Sequence, residues 1–260
     1  MRLFMIFHDC CHNSFFKDSK YNNYTSKLIE HICLYSESRW RNIHNKHHKA
    51  HGNLNEIDET RTVLNVQEYN EMGIFNKSLY RLFRSPPIFF MLSPIYIFWI
   101  IQIQYIDYIS KYIIWISIIN YYGSHTLVMR YVIGQYLAGA IGVMLFHLQH
   151  QVNEGYWRKF NNDDKKTWEK AQLHGSSMLR IPTLLKYFTI GIEYHHIHHL
   201  TTQVPCYNLQ RCHEDNIDKF NKITKVGYKQ ALLSLFHTLY DNISQRYISF
   251  PLARLFGLEY

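Results

Sequence analysis

The sequence predicts an all-α fold: a multi-pass helical membrane domain with a cytosolic, histidine-bearing cap that holds a di-metal centre. Three observations predict it. Of 28 Lys and Arg, only Lys111 and Arg130 fall between Pro86 and Leu148, and the other 26 lie in residues 1–85 and 149–260. The positive-inside rule leaves such a gap when both flanks are cytosolic and the middle visits a membrane. The same stretch is apolar enough to supply spans. The third observation is the 17 histidines and their spacing.

At 260 residues there is room for one domain and little more. Its parts read as 1–85 and 149–260 in the cytosol, with 86–148 in the membrane. The mean hydropathy of −0.26 averages a polar cap with an apolar middle. The net charge of +8 suits an anionic membrane face. No aromatic-interleaved basic stripe or known motif supports a nucleic-acid partner. Five cysteines without a CxxC pair argue against a disulfide framework and a thiolate zinc site.

Taken in order, MRLFMIF (1–7) is apolar but too short for a span or a signal peptide. Residues 86–103 are apolar but carry Pro86, Pro87 and Pro94. Pro94 lacks an N–H and is expected to break a helix, which favours an interfacial or re-entrant stretch. Residues 105–122 form a shorter candidate span, with Asp107 and Lys111 near its cytosolic end. Thr126 to Leu148 is the best span, since about 23 residues at 1.5 Å each cross a core of about 30 Å. Gly134, Gly139 and Gly142, with Ala138 and Ala140, suit close packing of helices in lipid. A short turn near Gly123–His125 is the expected outer connection.

The histidines decide the chemistry. His8 and His12 are spaced i, i+4. His44, His47 and His48 form HxxHH, and so do His195, His198 and His199. Residues three and four apart share a helix face. Chance gives roughly 0.07 HxxHH per chain of this composition, so two are not accidental. Imidazole is the common nitrogen ligand for iron and zinc. Eight imidazoles exceed the need of one metal, and zinc usually adds Cys or carboxylate. Two metals of about five ligands each fit better.

HDCCHNSFF (8–16), SRWRNIHNKHHKAHGNL (38–54) followed by EY (68–69), LQHQ (148–151) and YHHIHHL (194–200) resemble the membrane-bound acyl-lipid fatty acid desaturases. They are most similar to the omega-6 (delta-12) branch, as is HGSSMLRIP…YHHIHHLTTQVPCYNLQRCHE (174–214). The resemblance implies a non-haem di-iron centre on the cytosolic side. It implies His8, His12, His44, His47, His48, His195, His198 and His199 as ligands, and a ninth at His150, which matches the family's QH. His147 points about 60° away around the helix and is a candidate to support the ligands rather than join them. The remaining histidines, His51, His196, His213 and His237 among them, are expected at surface or interfacial positions.

Departures from the family pattern carry their own expectations. Cys11 stands where box 1 has Gly, and a helix would aim its thiol sideways. The family's GNIGYHH reads Ile190 to His196 here. Glu193 replaces a Gly and could accept a hydrogen bond from a histidine or be drift. Only seven residues precede His8, where family members carry two spans before and into box 1. Either half of the acyl-binding walls is absent, or the true start codon lies upstream, where an in-frame apolar stretch of about 60–90 residues would restore the two spans. Without it, metal loading and desaturation should be poor.

The implied reaction removes two hydrogens from an unactivated CH₂–CH₂ pair of a fatty acyl lipid. No side chain is basic enough for that, so a metal–oxygen oxidant is needed. The resemblance implies two iron ions, O₂ and an external electron donor, a b-type cytochrome or a ferredoxin. The best expected location is the endoplasmic reticulum membrane of a eukaryotic cell or host. The alternatives are a sister hydroxylase or ketolase, and a truncated, inactive metal-binding membrane protein.

Overall fold

The computed structural model describes residues 1–61, 63–101, 106–123, 125–152 and 156–250. Side chains 106–108, 110 and 111 fall outside that description, and with them the expected seats of Asp107 and Lys111.

The N-terminal part is three helices. α1 (Arg2–Cys11) and α2 (Ser19–Cys33) pack against each other, and α3 (Glu37–Ala50) follows. The Asp18 side chain accepts from Lys20 N and starts α2. Leu34, in the left-handed region, ends it. α1 has three faces with three jobs. Phe7 and Cys11 join Ile29, Tyr35 and Trp40 in one apolar cluster. Met5 joins a second with Ile197, Cys206 and Leu209. His8 and His12 take the face that remains. Cys11 therefore points sideways into the core, and burial raises its thiol pKa.

After α4 (Val66–Glu71) and α5 (Ile74–Arg84), the chain turns by 84° into α6 (Pro86–Ile95) and a π-helical turn over Tyr96–Ile100. The elbow is dictated by Pro86, whose ring keeps Ser85 extended at ψ 132. Arg84 Nη2 donates to Gln151 Oε1 at 3.0 Å and to His237 O at 2.8 Å, which ties the elbow to the cap. The expectation that Pro94 breaks the helix is corrected. The helix runs through Pro94 and widens to π spacing immediately after it. The proline removes one bond of the ladder, to the Phe90 carbonyl, and the helix continues past that loss.

α7 (Ile106–Tyr122) and α8 (His125–His150) follow. Among the described residues α8 is the one helix long and apolar enough by itself to cross a membrane, with mean hydropathy 1.5 over its best window. Of its glycines only Gly139 serves close packing: a Cβ there would lie 2.9 Å from the Phe98 ring of the π turn. Gly134 and Gly142 meet nothing within 4 Å. Tyr131 and Gln135, in the first half of α8, bond the carbonyls of Ile32 and Cys33. The α2–α3 connection thus lies alongside α8, and α3 runs toward its His150 end.

The cap holds α9 (Lys165–His174), α10 (Thr183–Thr189), α11 (His195–Leu200), α12 (Cys206–Asp215) and α13 (Tyr228–Ser234). It is not purely helical. β1 (Leu64–Asn65) pairs in parallel with β4 (Leu239–Asp241), which pairs antiparallel with β5 (Arg246–Ile248). β2 (Ser177–Leu179) and β3 (Thr224–Val226) pair in parallel. Strands of two or three residues are too short to show a period of two, so the all-α expectation missed them.

Candidate metal centre

The two histidines of α1, the HxxHH at the end of α3, the last residue of α8 and the HxxHH of α11 meet in one cluster. Ligand atoms of His8, His12, His44 and His198 lie within 4.8 Å of one another, as do those of His150, His195 and His199, and those of His47, His51 and His199. His48 Nε2 lies 3.1 Å from His44 Nε2, and its ring stacks on His199 at 4.3 Å. All nine histidines singled out in the sequence therefore converge, from four segments. Eight are buried, and His44 is half-buried beneath the stacked ring of Trp40.

Four of the nine, His8, His47, His150 and His199, have the outward nitrogen held by an acceptor. His8 Nδ1 donates to Asp9 Oδ1 at 2.9 Å, and His47 Nδ1 to Asp58 Oδ2 at 2.9 Å. His199 Nδ1 donates to Gln172 Oε1 at 3.0 Å, and His150 Nδ1 to the Gly175 carbonyl at 3.3 Å. A carboxylate or carbonyl oxygen only accepts, so each Nδ1 carries the proton and each Nε2 presents a lone pair. This is the usual arrangement around a metal-binding histidine. His47 Nε2 and His150 Nε2 then face each other at 3.3 Å with no proton between them. Two lone pairs that close repel unless a cation lies between. His195 Nε2 likewise lies 3.0 Å from His150 Nε2, close enough for the two nitrogens to be held by one metal. Nε2 of His12, His198 and His199 is buried without a hydrogen-bond partner. The donor set fits a metal centre.

Electrostatics agree. Burial first, and neighbouring imidazoles second, push His12, His44, His48, His195, His198 and His199 well below the ordinary histidine range. All six are neutral near pH 7, the form that ligates. Burial alone would raise the Asp58 carboxyl, but His47 and Thr60 outweigh it and hold it below the usual range.

A model of the family described as fatty acid desaturase matches residues 1–229. The chain belongs to the fatty acid desaturase family. A Bacillus subtilis (strain 168) protein named fatty acid desaturase is 33% identical over 266 residues, covering 96% of this chain and 74% of its own length. An sn-1 oleoyl-lipid 12-desaturase of Picosynechococcus is 26% identical over 95% of this chain and 75% of its own. An sn-1 acyl-lipid omega-3 desaturase (ferredoxin) of Synechocystis is 36% identical over 96 residues, which is 37% of this chain and 25% of its own.

Other residues of this desaturase-family chain stand differently from their sequence reading. His147 is buried on α8, but its Nε2 donates to Ser234 O at 2.7 Å, outside the cluster. Glu193 accepts from Thr189 Oγ1 at 2.7 Å rather than from a histidine. His196 turns away from the cluster as its place in the helix requires, yet it is not interfacial. It is fully buried, with Nε2 3.1 Å from His213 Nδ1. His51 is also buried, against His47, His150 and His199. His237 is buried too, with Nδ1 2.7 Å from Gln151 O. Ile190 occupies φ 52, where the family's motif carries glycine and where a β-branched residue is strained. Gly191 at φ 99 follows, and a Cβ there would strike the Cys206 carbonyl.

Asp9, Asp58, Gln172 and Gly175 escaped the sequence reading. Asp9 could have been found from its place inside HDxxH. The other three lie 11 or more positions from the histidines they orient, and no spacing signals them.

Proposed function

We propose that the chain is a multi-pass membrane fatty acyl desaturase that introduces a cis double bond into an acyl lipid at a non-haem di-iron centre. The observation that carries this is the facing lone pairs of His47 and His150 within a shell of imidazoles, in a chain of this family. The ligands are His8, His12, His44, His47, His48, His150, His195, His198 and His199. When bound, the two irons supply the oxidising power that an unactivated CH₂–CH₂ pair demands. The balance is closed by O₂. It accepts two electrons and two protons from the acyl chain, and two electrons and two protons from outside, and leaves as two waters.

The protein supplies geometry. Asp9, Asp58, Gln172 and the Gly175 carbonyl fix the proton of their histidine on the outward nitrogen and turn the other nitrogen inward. Burial of eight imidazoles excludes water, and low basicity keeps His12, His44, His48, His195, His198 and His199 neutral. The acyl-lipid substrate is supported by the names of the two cyanobacterial relatives, and a ferredoxin as electron donor by one of them; a b-type cytochrome is the alternative donor.

Residues 1–260 read as one domain, with both flanks of 86–148 in the cytosol and the endoplasmic reticulum as the best location. α8, and the bent pair α5–α6, support membrane insertion. Acceptor sites for glycosylation at residues 60 and 220 should stay unmodified; modification of either refutes the topology.

The activity test is expression in a desaturase-null yeast with gas chromatography of its lipids. A new cis-unsaturated acyl chain, absent with His47→Ala, is expected. A hydroxylated or ketolated product would move the chain to a sister chemistry. Fully saturated lipid alongside an iron-loaded protein would refute desaturation.

A further inference from the structure

The imidazoles divide unevenly between two metals. His8, His12, His44 and His198 form one group, and His48 joins it through His44. That makes five. His47, His150, His195 and His199 are left for the other, which makes four. Beside this smaller set lies His51. It offers a ring nitrogen within 4.8 Å of ligand atoms of His47 and His199. Its ring centroid is 4.6 Å from that of His150 and 4.7 Å from that of His199, and the residue is 3% exposed.

Its hydrogen bond decides which nitrogen is free. His51 Nε2 lies 2.7 Å from the Gly175 carbonyl. That oxygen can only accept, so the proton is on Nε2 and the lone pair on Nδ1. One ring N–H on a backbone carbonyl and the other nitrogen bare is how metal-binding histidines are normally held. The same carbonyl takes His150 Nδ1, so one oxygen orients both rings. Space has been left for this. A Cβ on residue 175 would collide with His51 Nε2 and with the Ala171 carbonyl.

We propose that His51 is a tenth imidazole ligand, completing a five-nitrogen shell around the second metal. This rests on the di-iron reading above. The family's motif carries a small polar residue at this position, so the ligand belongs to this chain rather than to the common pattern.

The test compares wild type, His51→Ala and His51→Gln, each loaded with ferrous iron in detergent and titrated with a ferrous chelator. Gln keeps an N–H for the Gly175 carbonyl but lacks the imidazole lone pair. Removing a partner that only orients a ligand costs 10–100-fold in metal affinity, so loss of a ligand should reach about 100-fold or more. Both variants are expected to weaken one of the two irons by that factor and leave the other unchanged. If Gln holds both irons as wild type does, His51 is only a hydrogen-bond donor and the proposal falls. Unchanged affinity in Ala, or equal loss of both irons, overturns it as well. Wild type without tightly held iron would overturn the di-iron reading together with it. Two tight irons in wild type with indifferent His51 variants would overturn this inference alone.

Discussion

Asp58→Asn should cost the second metal its grip through a single misplaced proton. In the native site, Asp58 Oδ1 takes Thr60 N at 2.9 Å and Thr60 Oγ1 at 2.7 Å, while Oδ2 takes His47 Nδ1 at 2.9 Å. An amide has one acceptor oxygen. If it serves Thr60, the NH₂ group confronts His47 Nδ1–H, donor against donor. Thr60 Oγ1 also lies 2.9 Å from His47 Nδ1, but with the NH₂ group beside it the balance moves toward the tautomer with its proton on Nε2, the atom 3.3 Å from His150 Nε2. A protonated Nε2 cannot ligate. If the amide flips instead, the same clash moves to Thr60 N. Losing an outer partner of this kind costs 10–100-fold in affinity, about 1.4–2.8 kcal/mol at 1.4 per tenfold. The site is nearly dry, with the Asp58 side chain 9% exposed, so water does not repair it. Chelator competition on the iron-loaded protein reads the effect directly. One iron should weaken within that range, with the other unaffected. Two irons bound at wild-type strength would refute the tautomer argument.

Four further outcomes follow from the same geometry. His198→Ala should lose both activity and full iron stoichiometry; normal desaturation by this variant would remove it from the ligand set. His196→Ala should keep its iron but lose about 2–4 kcal/mol of stability by denaturant titration, because a fully buried ring and its bond to His213 disappear together. Gly139→Val should destabilise by about 1–3 kcal/mol through collision with Phe98, whereas Gly134→Val, facing open space, should not; equal effects would show that the π turn does not pack there. The metal-free protein should weaken on acidification. Six histidines, five buried and His44 half-buried, have lowered folded values, so below about 6.5 the unfolded chain binds more protons. Their contribution is full above that pH and is lost as pH falls toward the folded values. An unchanged denaturation midpoint between pH 7.5 and pH 5.5 would contradict this.

The histidine cluster was legible because ligation demands spacing. A helix brings i, i+3 and i+4 to one face, and the sequence writes that demand down twice as HxxHH. α8 was legible for a similar reason, since its length and apolarity are local properties. The Pro94 reading failed because a helix can either stop at a proline or continue with one bond lost, and the sequence does not choose between them. His51 was assigned to the surface because nothing adjacent announces its partner, the Gly175 carbonyl, 124 positions away. The same holds for Asp58 and Gln172. Their role exists only once the chain has closed. Ile190 is a different case. The motif's glycine marks a left-handed backbone, and the structure keeps that conformation with the wrong residue for it.

Asp9 has a consequence for how the centre is made. One carboxylate oxygen fixes His8, while the other accepts from Cys206 N, 197 positions later, at 2.6 Å. At about 5–20 residues per second of synthesis, Cys206 leaves the ribosome roughly 10–40 s after Asp9. Once His48 has emerged, and until Cys206 does, the nascent chain displays five imidazoles of the first two boxes without their final orientation. Loose imidazoles follow the Irving–Williams order and prefer copper to ferrous iron. On the di-iron reading, correct loading would wait until Cys206 has been made, and a chain stalled short of it would expose imidazoles that favour the wrong metal.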